Sequence, residues 1–173
     1  MKDSSQSLRT ERLDLRRFTP QDADLMLAVW NDPDFVKHVG DRGIRTLDEA
    51  REALEEGILS MYSELGYGPY CMTLRGSEQR IGVCGLFKRD NLDDPDIGFG
   101  LLPPHRRDGF AMEAAVAVLN EARDVLGFER VSAIVSPDNE ASVRLIEKLG
   151  LAYAGPIRMP GDDEDVSLYA IEW

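Results

Sequence analysis

The sequence predicts a single α/β domain of the α+β kind, one mixed sheet with helices on both faces. Three observations predict it. Short runs of alternating polarity fill the first half and are joined by short polar turns, the pattern of an antiparallel meander. Two later runs, 96–102 and 130–135, flank a long amphipathic helix, and strands joined that way lie parallel with a right-handed crossover. The 173-residue chain is long enough to bury a real core, and no repeat, low-complexity run or Pro/Gly-rich linker divides it. Residues 1–173 are therefore expected to form one domain, with 1–9 a flexible N-terminus.

The first strand is expected from Arg12 to Phe18, where Leu13 and Leu15 alternate with polar residues. Thr19-Pro20 reads as a helix start, and Leu25 and Val29 give that helix an apolar stripe that stops near Asn31-Asp32-Pro33. A second helix opens at Thr46, with Glu49 three residues on as a capping box, and runs through Ala50, Leu54 and Ile58. Strands follow at Tyr67 to Leu74, Arg80 to Lys88 and Asp96 to Leu102. From Gly109 to Leu126, Ala111, Ala114, Ala115, Val118, Ala122 and Val125 share one helical face, small enough to sit close on a sheet. A strand at Arg130 to Val135 and a helix at Asn139 to Leu149, ended by Gly150, come next. Two strands near Leu151 to Ile157 and Val166 to Glu172 close the chain.

Charge and composition narrow the function. The net charge is −12, from 32 acidic against 20 basic residues, and such a surface repels phosphate backbones, so nucleic acid is not an expected partner. No apolar run reaches the roughly 20 residues that span a bilayer, and the polar N-terminus lacks a signal-peptide core. The expectation is a cytoplasmic protein without a membrane partner. Cys71 and Cys84 fall in separate strands without metal-ligand spacing and read as reduced, partly buried thiols.

Three segments carry the chemistry. On the strand at 96–102, Ile97, Phe99 and Leu101 face one way, and Asp96, Gly98, Gly100 and Leu102 the other. Glycines there mark either a closely approaching ligand or a helix packed on that face. Pro103 to Ala111 then leaves the strand for the alanine-rich helix. A helix N-terminus offers unpaired N–H groups to an anion, Gly109 removes a side chain there, and Arg106 and Arg107 add two positive charges. No Walker loop and no GxGxxG fingerprint is present. Third, Ser142, Leu145, Ile146 and Leu149 recur on one helical stripe, which turns the Ser142 hydroxyl inward. With Asn139 as N-cap, that hydroxyl serves either the helix end or a ligand.

Asp96-Ile97-Gly98-Phe99, Arg106-x-x-Gly109-x-Ala111, and Asn139-x-x-Ser142 with Glu147-Lys148-Leu149-Gly150 together resemble the GNAT superfamily of N-acetyltransferases. The branch with the ribosomal-protein alanine acetyltransferases is the most similar. Thr10-Glu11-Arg12-Leu13, Trp30-Asn31-Asp32-Pro33 and Ile81-Gly82-Val83-Cys84-Gly85-Leu86 also fit it, so the resemblance covers nearly the whole chain. It implies acetyl-CoA as co-substrate, with the pyrophosphate on the backbone amides of Arg106, Arg107, Asp108, Gly109, Phe110, Ala111 and Met112. The pantetheine would lie against Phe99, Gly100 and Leu101, where two parallel strands splay, and Asn139 and Ser142 would approach the thioester. Many family members carry a tyrosine on this last helix to protonate the leaving thiolate. Ile146 stands there, so Ser142 is the nearest hydroxyl for that role.

The resemblance also puts Asp96 where a glutamate often stands, so it could help deprotonate the amine or anchor the acceptor. Neither a metal nor a covalent enzyme intermediate is implied. The acceptor is expected to be a primary amine, either a small molecule or a protein N-terminus. The acidic runs Asp93-Asp94 and Asp162-Asp163-Glu164-Asp165 could line its side of the site or be solvated turns. The enzyme is expected as a monomer or homodimer. The rival expectation is a non-catalytic acyl-CoA-binding or sensory module of the same fold.

Overall fold

The computed structural model describes residues 7–173. In these residues eight strands form one sheet in the order β1-β2-β3-β4-β5-β6-β8-β7. They are β1 (Leu8–Arg9), β2 (Leu13–Arg17), β3 (Pro69–Leu74), β4 (Arg80–Phe87), β5 (Asp96–Leu101), β6 (Arg130–Val135), β7 (Ala152–Arg158) and β8 (Asp165–Glu172). Every neighbouring pair is antiparallel except β5 and β6. This is the mixed sheet the alternation and the long crossover helix predict. The expected flexible stretch 1–9 lies mostly outside the described residues; its last two residues pair with Leu15 and Asp14 as β1.

Among the described residues six helices flank the sheet: α1 (Ala23–Trp30), α2 (Pro33–His38), α3 (Leu47–Leu54), α4 (Ser60–Leu65), α5 (Phe110–Asp124) and α6 (Glu140–Lys148). A wide helical turn at Glu55–Leu59 joins α3 to α4 without a break. The capping box at its start is present, with Thr46 Oγ1 accepting from Glu49 N–H and Glu49 accepting from Thr46 N–H at 3.0 Å. Helix α2 departs from the sequence expectation, because Asn31-Asp32-Pro33 also begins a helix. Asp32 caps it by accepting from Phe35 N–H, and Pro33 takes the first turn, where no N–H is needed.

The two faces of the sheet bury separate cores. Helix α5 brings Ala114, Ala115, Val118 and Ala122, and α6 brings Ile146, onto Leu13, Leu15, Met72, Ile97 and Val131. Val125 departs from its expected place on the α5 stripe: the helix ends at Asp124, and Val125 is 65% exposed. On the opposite face α1 and α3 bury Leu25, Val29, Trp30, Ala50 and Leu54 against Cys71 and Val83. Burial pushes the Cys71 and Cys84 thiols up to about 12, which leaves neither as a thiolate nucleophile near neutral pH. No helix among the described residues is long and apolar enough to cross a membrane.

Candidate active site

The site grows from the way β5 and β6 part. Their parallel pairing is a single rung, Asp96 opposite Ser132, fixed by Ser132 N–H donating to the Pro95 carbonyl at 2.9 Å. Beyond it β5 stays bonded to β4 through Leu101, and β6 stays bonded to β8 through Val135. A gap thus opens between the C-terminal halves of β5 and β6, and the side of each backbone that faces it has no strand partner.

At the open end of β5 the chain makes a tight turn into α5. Arg107 (φ 69°) and Gly109 (φ 83°) both adopt the left-handed conformation, and Gly109 is the N-cap of α5. From Arg107 to Met112 no backbone N–H donates to another described residue; the first helical bond runs from Glu113 N to Gly109 O at 3.1 Å. That is a run of free donors at the positive end of a 15-residue helix, as an anionic diphosphate needs.

Arginine 12 is a residue of this site that local sequence reasoning misses. Its Nη1 donates to the Asp108 carbonyl at 2.8 Å, its Nε pairs with Glu113 at 2.7 Å, and its guanidinium lies 4.3 Å over the Phe110 ring. Because Glu113 lies 101 positions away, no local pattern reveals the pair.

Arg106 differs from the free cation expected. Its Nε donates to the Leu101 carbonyl at 3.1 Å, and its other nitrogens reach Asp34 at 2.9 Å and the buried Asp32. Its charge is spent on tying the turn to α2. Arg107 is exposed and makes no ion pair among the described residues, so its charge remains available.

The glycine face of β5 is filled by protein. A Cβ on Gly98 would stand 2.9 Å from the Phe87 ring, and one on Gly100 would stand 3.4 Å from Val29 of α1. Phe99 and Leu101 pack into the α5 core as the alternation predicts.

Asp96 also corrects the expectation. It is 1% exposed, and its Oδ1 accepts from Arg89 Nε at 3.0 Å. Burial raises its pKa and Arg89 only partly opposes that. Strand alternation places Asp96 at the edge of the site but cannot show Arg89 folding back from the β4–β5 loop to cover it. In this arrangement the carboxylate has no open path to an acceptor.

Across the gap, Asn139 Oδ1 accepts from the Ser142 backbone N–H at 3.3 Å and caps α6. The cap therefore uses the Ser142 amide, and its hydroxyl makes no hydrogen bond to a described residue. Ile146, one turn on, is 2% exposed and belongs to the core.

An acetyltransferase (GNAT) domain model matches residues 12–152. The chain belongs to the GNAT acetyltransferase family. It is similar to a Bacillus subtilis protein named uncharacterized N-acetyltransferase YoaA, 29% identical over 169 residues and covering 95% of each chain. A solved acetyltransferase from Agrobacterium tumefaciens superposes with a TM-score of 0.83 at 25% identity, covering 100% of this chain and 98% of that one. RimL, the ribosomal L7/L12 α-N-protein acetyltransferase solved with coenzyme A, shares the fold at a TM-score of 0.82 and 16% identity, covering 96% and 98%. Family membership makes the chain an acetyltransferase, and acetyl-CoA is the donor that the GNAT fold uses.

Proposed function

We propose that this acetyltransferase moves the acetyl group of acetyl-CoA directly onto a primary amine, of a small molecule or a protein N-terminus. The observation that carries the proposal is the single-rung β5–β6 pair, with the free N–H groups of Arg107 to Met112 at its open end. The diphosphate of the coenzyme fits those donors, supported by Arg107 and the Arg12-braced turn. The pantetheine fits the gap, where the unpaired β5 edge at Phe99, Gly100 and Leu101 offers it a strand-like partner. Backbone N–H groups of that edge polarise the thioester carbonyl, a fixed dipole arrangement that favours the developing oxyanion.

The neutral amine attacks the carbonyl, the C–N bond forms, and the C–S bond breaks. Ser142 stands at the start of α6 with its hydroxyl uncommitted, and we assign it the hydrogen bond to the departing thiolate. Asp96 is buried against Arg89 at the closed end of the gap and is given no part in the transfer. Calorimetry with coenzyme A tests the reading first, and one site per chain is expected. Thiol release from acetyl-CoA then tests transfer with alanyl and seryl peptides, free amino acids, spermidine and an aminoglycoside. Absence of binding at millimolar coenzyme would overturn the proposal.

A further inference from the structure

Helix α2 lies across the open end of the gap. At its start Asp32 and Asp34 hold Arg106, just beyond β5. At its end His38 meets Asp138, just beyond β6, with His38 Nδ1 3.6 Å from Asp138 Oδ1. Six residues of helix span about 9 Å, so α2 is short, bonded to Arg106 at its start and facing Asp138 at its end. The His38 side chain is 15% exposed. Its Nδ1 is one of two buried side-chain polar atoms without a hydrogen bond among the described residues. Its Nε2 makes no hydrogen bond either but is not buried. Asp138 accepts from Ser136 Oγ and precedes Asn139, the cap of the helix that carries Ser142.

We propose that His38 is the proton acceptor for the attacking amine, with Asp138 as the positioning residue that holds its ring. The inference rests on the acetyl-transfer reading above. An amine at neutral pH is an ammonium ion and must lose a proton before its lone pair can attack. Asp96 is sealed by Arg89, whereas the His38 imidazole presents one nitrogen outward. The buried Nδ1 lies 3.6 Å from a carboxylate that favours a proton on that nitrogen, which leaves Nε2 as the basic nitrogen. Nε2 takes one proton from the ammonium, and the amine lone pair forms the C–N bond. The C–S bonding pair leaves with sulfur, and the second amine proton passes to that thiolate through Ser142 or water. The imidazolium returns its proton to solvent, so the products are the amide, free thiol and one solvated proton.

Charged neighbours of His38 lie on α2 and on the loop before α6. Asp138 lies opposite; its carboxyl is held below the usual range first by the Ser136 hydrogen bond, then by His38 and Lys37. Lys37 is the neighbouring residue on α2, and Asp34, one turn back, is spent on Arg106.

The test uses the full chain and the amine of the panel that releases thiol fastest, alongside acetyl-CoA hydrolysis with water as the only acceptor. His38→Gln should lower kcat/KM on the order of a hundredfold and abolish the acidic limb of its pH profile. Coenzyme affinity and Tm should stay unchanged. His38→Ala should recover activity with added imidazole, which a purely structural role would not allow. Asp138→Asn, at an exposed position, should shift that limb while the protein stays folded. An unchanged limb in His38→Gln overturns the proposal, and if that variant unfolds, an unchanged limb in Asp138→Asn does the same. Failure of the wild-type chain to bind coenzyme A would instead sink the acetyl-transfer reading, so the two failures are told apart.

Discussion

Alanine at position 142 removes the hydroxyl but keeps the backbone N–H that Asn139 Oδ1 holds at 3.3 Å. Ser142→Ala should therefore leave Tm nearly unchanged while kcat falls tenfold or more, by about the range of general-acid groups. Asn139→Ala should show the reverse bias in stability, losing about 1 kcal/mol with the cap. Paired melting and turnover measurements separate the two. Asp96→Asn makes a prediction of opposite sign. Its folded pKa is raised, so the ionised form costs stability once pH exceeds the unfolded value. The asparagine variant should match or exceed the native Tm at neutral pH, and any gain should vanish as pH falls through the ordinary aspartate range. The Asn139 cap on α6 was legible because helical spacing is local. Arg89 over Asp96, Arg12 at the turn between β5 and α5 and His38 facing Asp138 were not, because each pairing is made by tertiary folding and leaves no periodic trace.

Glycine 109 carries an element-scale constraint. At φ 83° any side chain is strained, and its Cβ would stand 3.3 Å from Arg12 Nη2. Gly109→Val should cost about 1–2 kcal/mol in Tm-based stability and also displace the arginine that braces the turn. Coenzyme affinity should fall more than tenfold by calorimetry; normal affinity would place the phosphate turn elsewhere. The elements themselves were largely readable. The Thr46/Glu49 box, the alanine stripe of α5 and the glycine after α6 act within one turn of their own residue. Helix α2 was missed because aspartate followed by proline both ends one helix and caps the next. That ambiguity hid the helix that carries His38 to Asp138.

At the scale of the molecule, the α1 layer is pinned to the sheet by one charged knot. Asp22, 2% exposed, accepts both Arg16 nitrogens at 2.8 and 2.9 Å and also meets Arg80, which clasps Asp24 with two bonds of 2.7 Å. Burial alone would raise the Asp22 pKa, but the Arg16 and Thr19 bonds and Arg80 outweigh it and hold it low. A depressed folded pKa gives stability that is present above the unfolded value and lost as pH falls through the folded one. Asp22→Asn should cost about 3 kcal/mol at pH 7, because it leaves two arginines facing a neutral partner. The deficit should shrink in melts run at progressively lower acid pH. The mixed sheet was legible at this scale because the long crossover helix dictates a parallel pair. How far that pair extends was not, since one rung and five rungs look alike in sequence. The single rung has a consequence for solvent exchange. Amide hydrogens of β5 beyond Asp96 and of β6 beyond Ser132 that point into the gap should trade for deuterium far faster than those of β2 to β4. The pantetheine arm carries two amides of its own, so saturating coenzyme A should slow exchange along those two edges and leave β2 to β4 as they were, as expected if the cofactor finishes a ladder that the polypeptide leaves open.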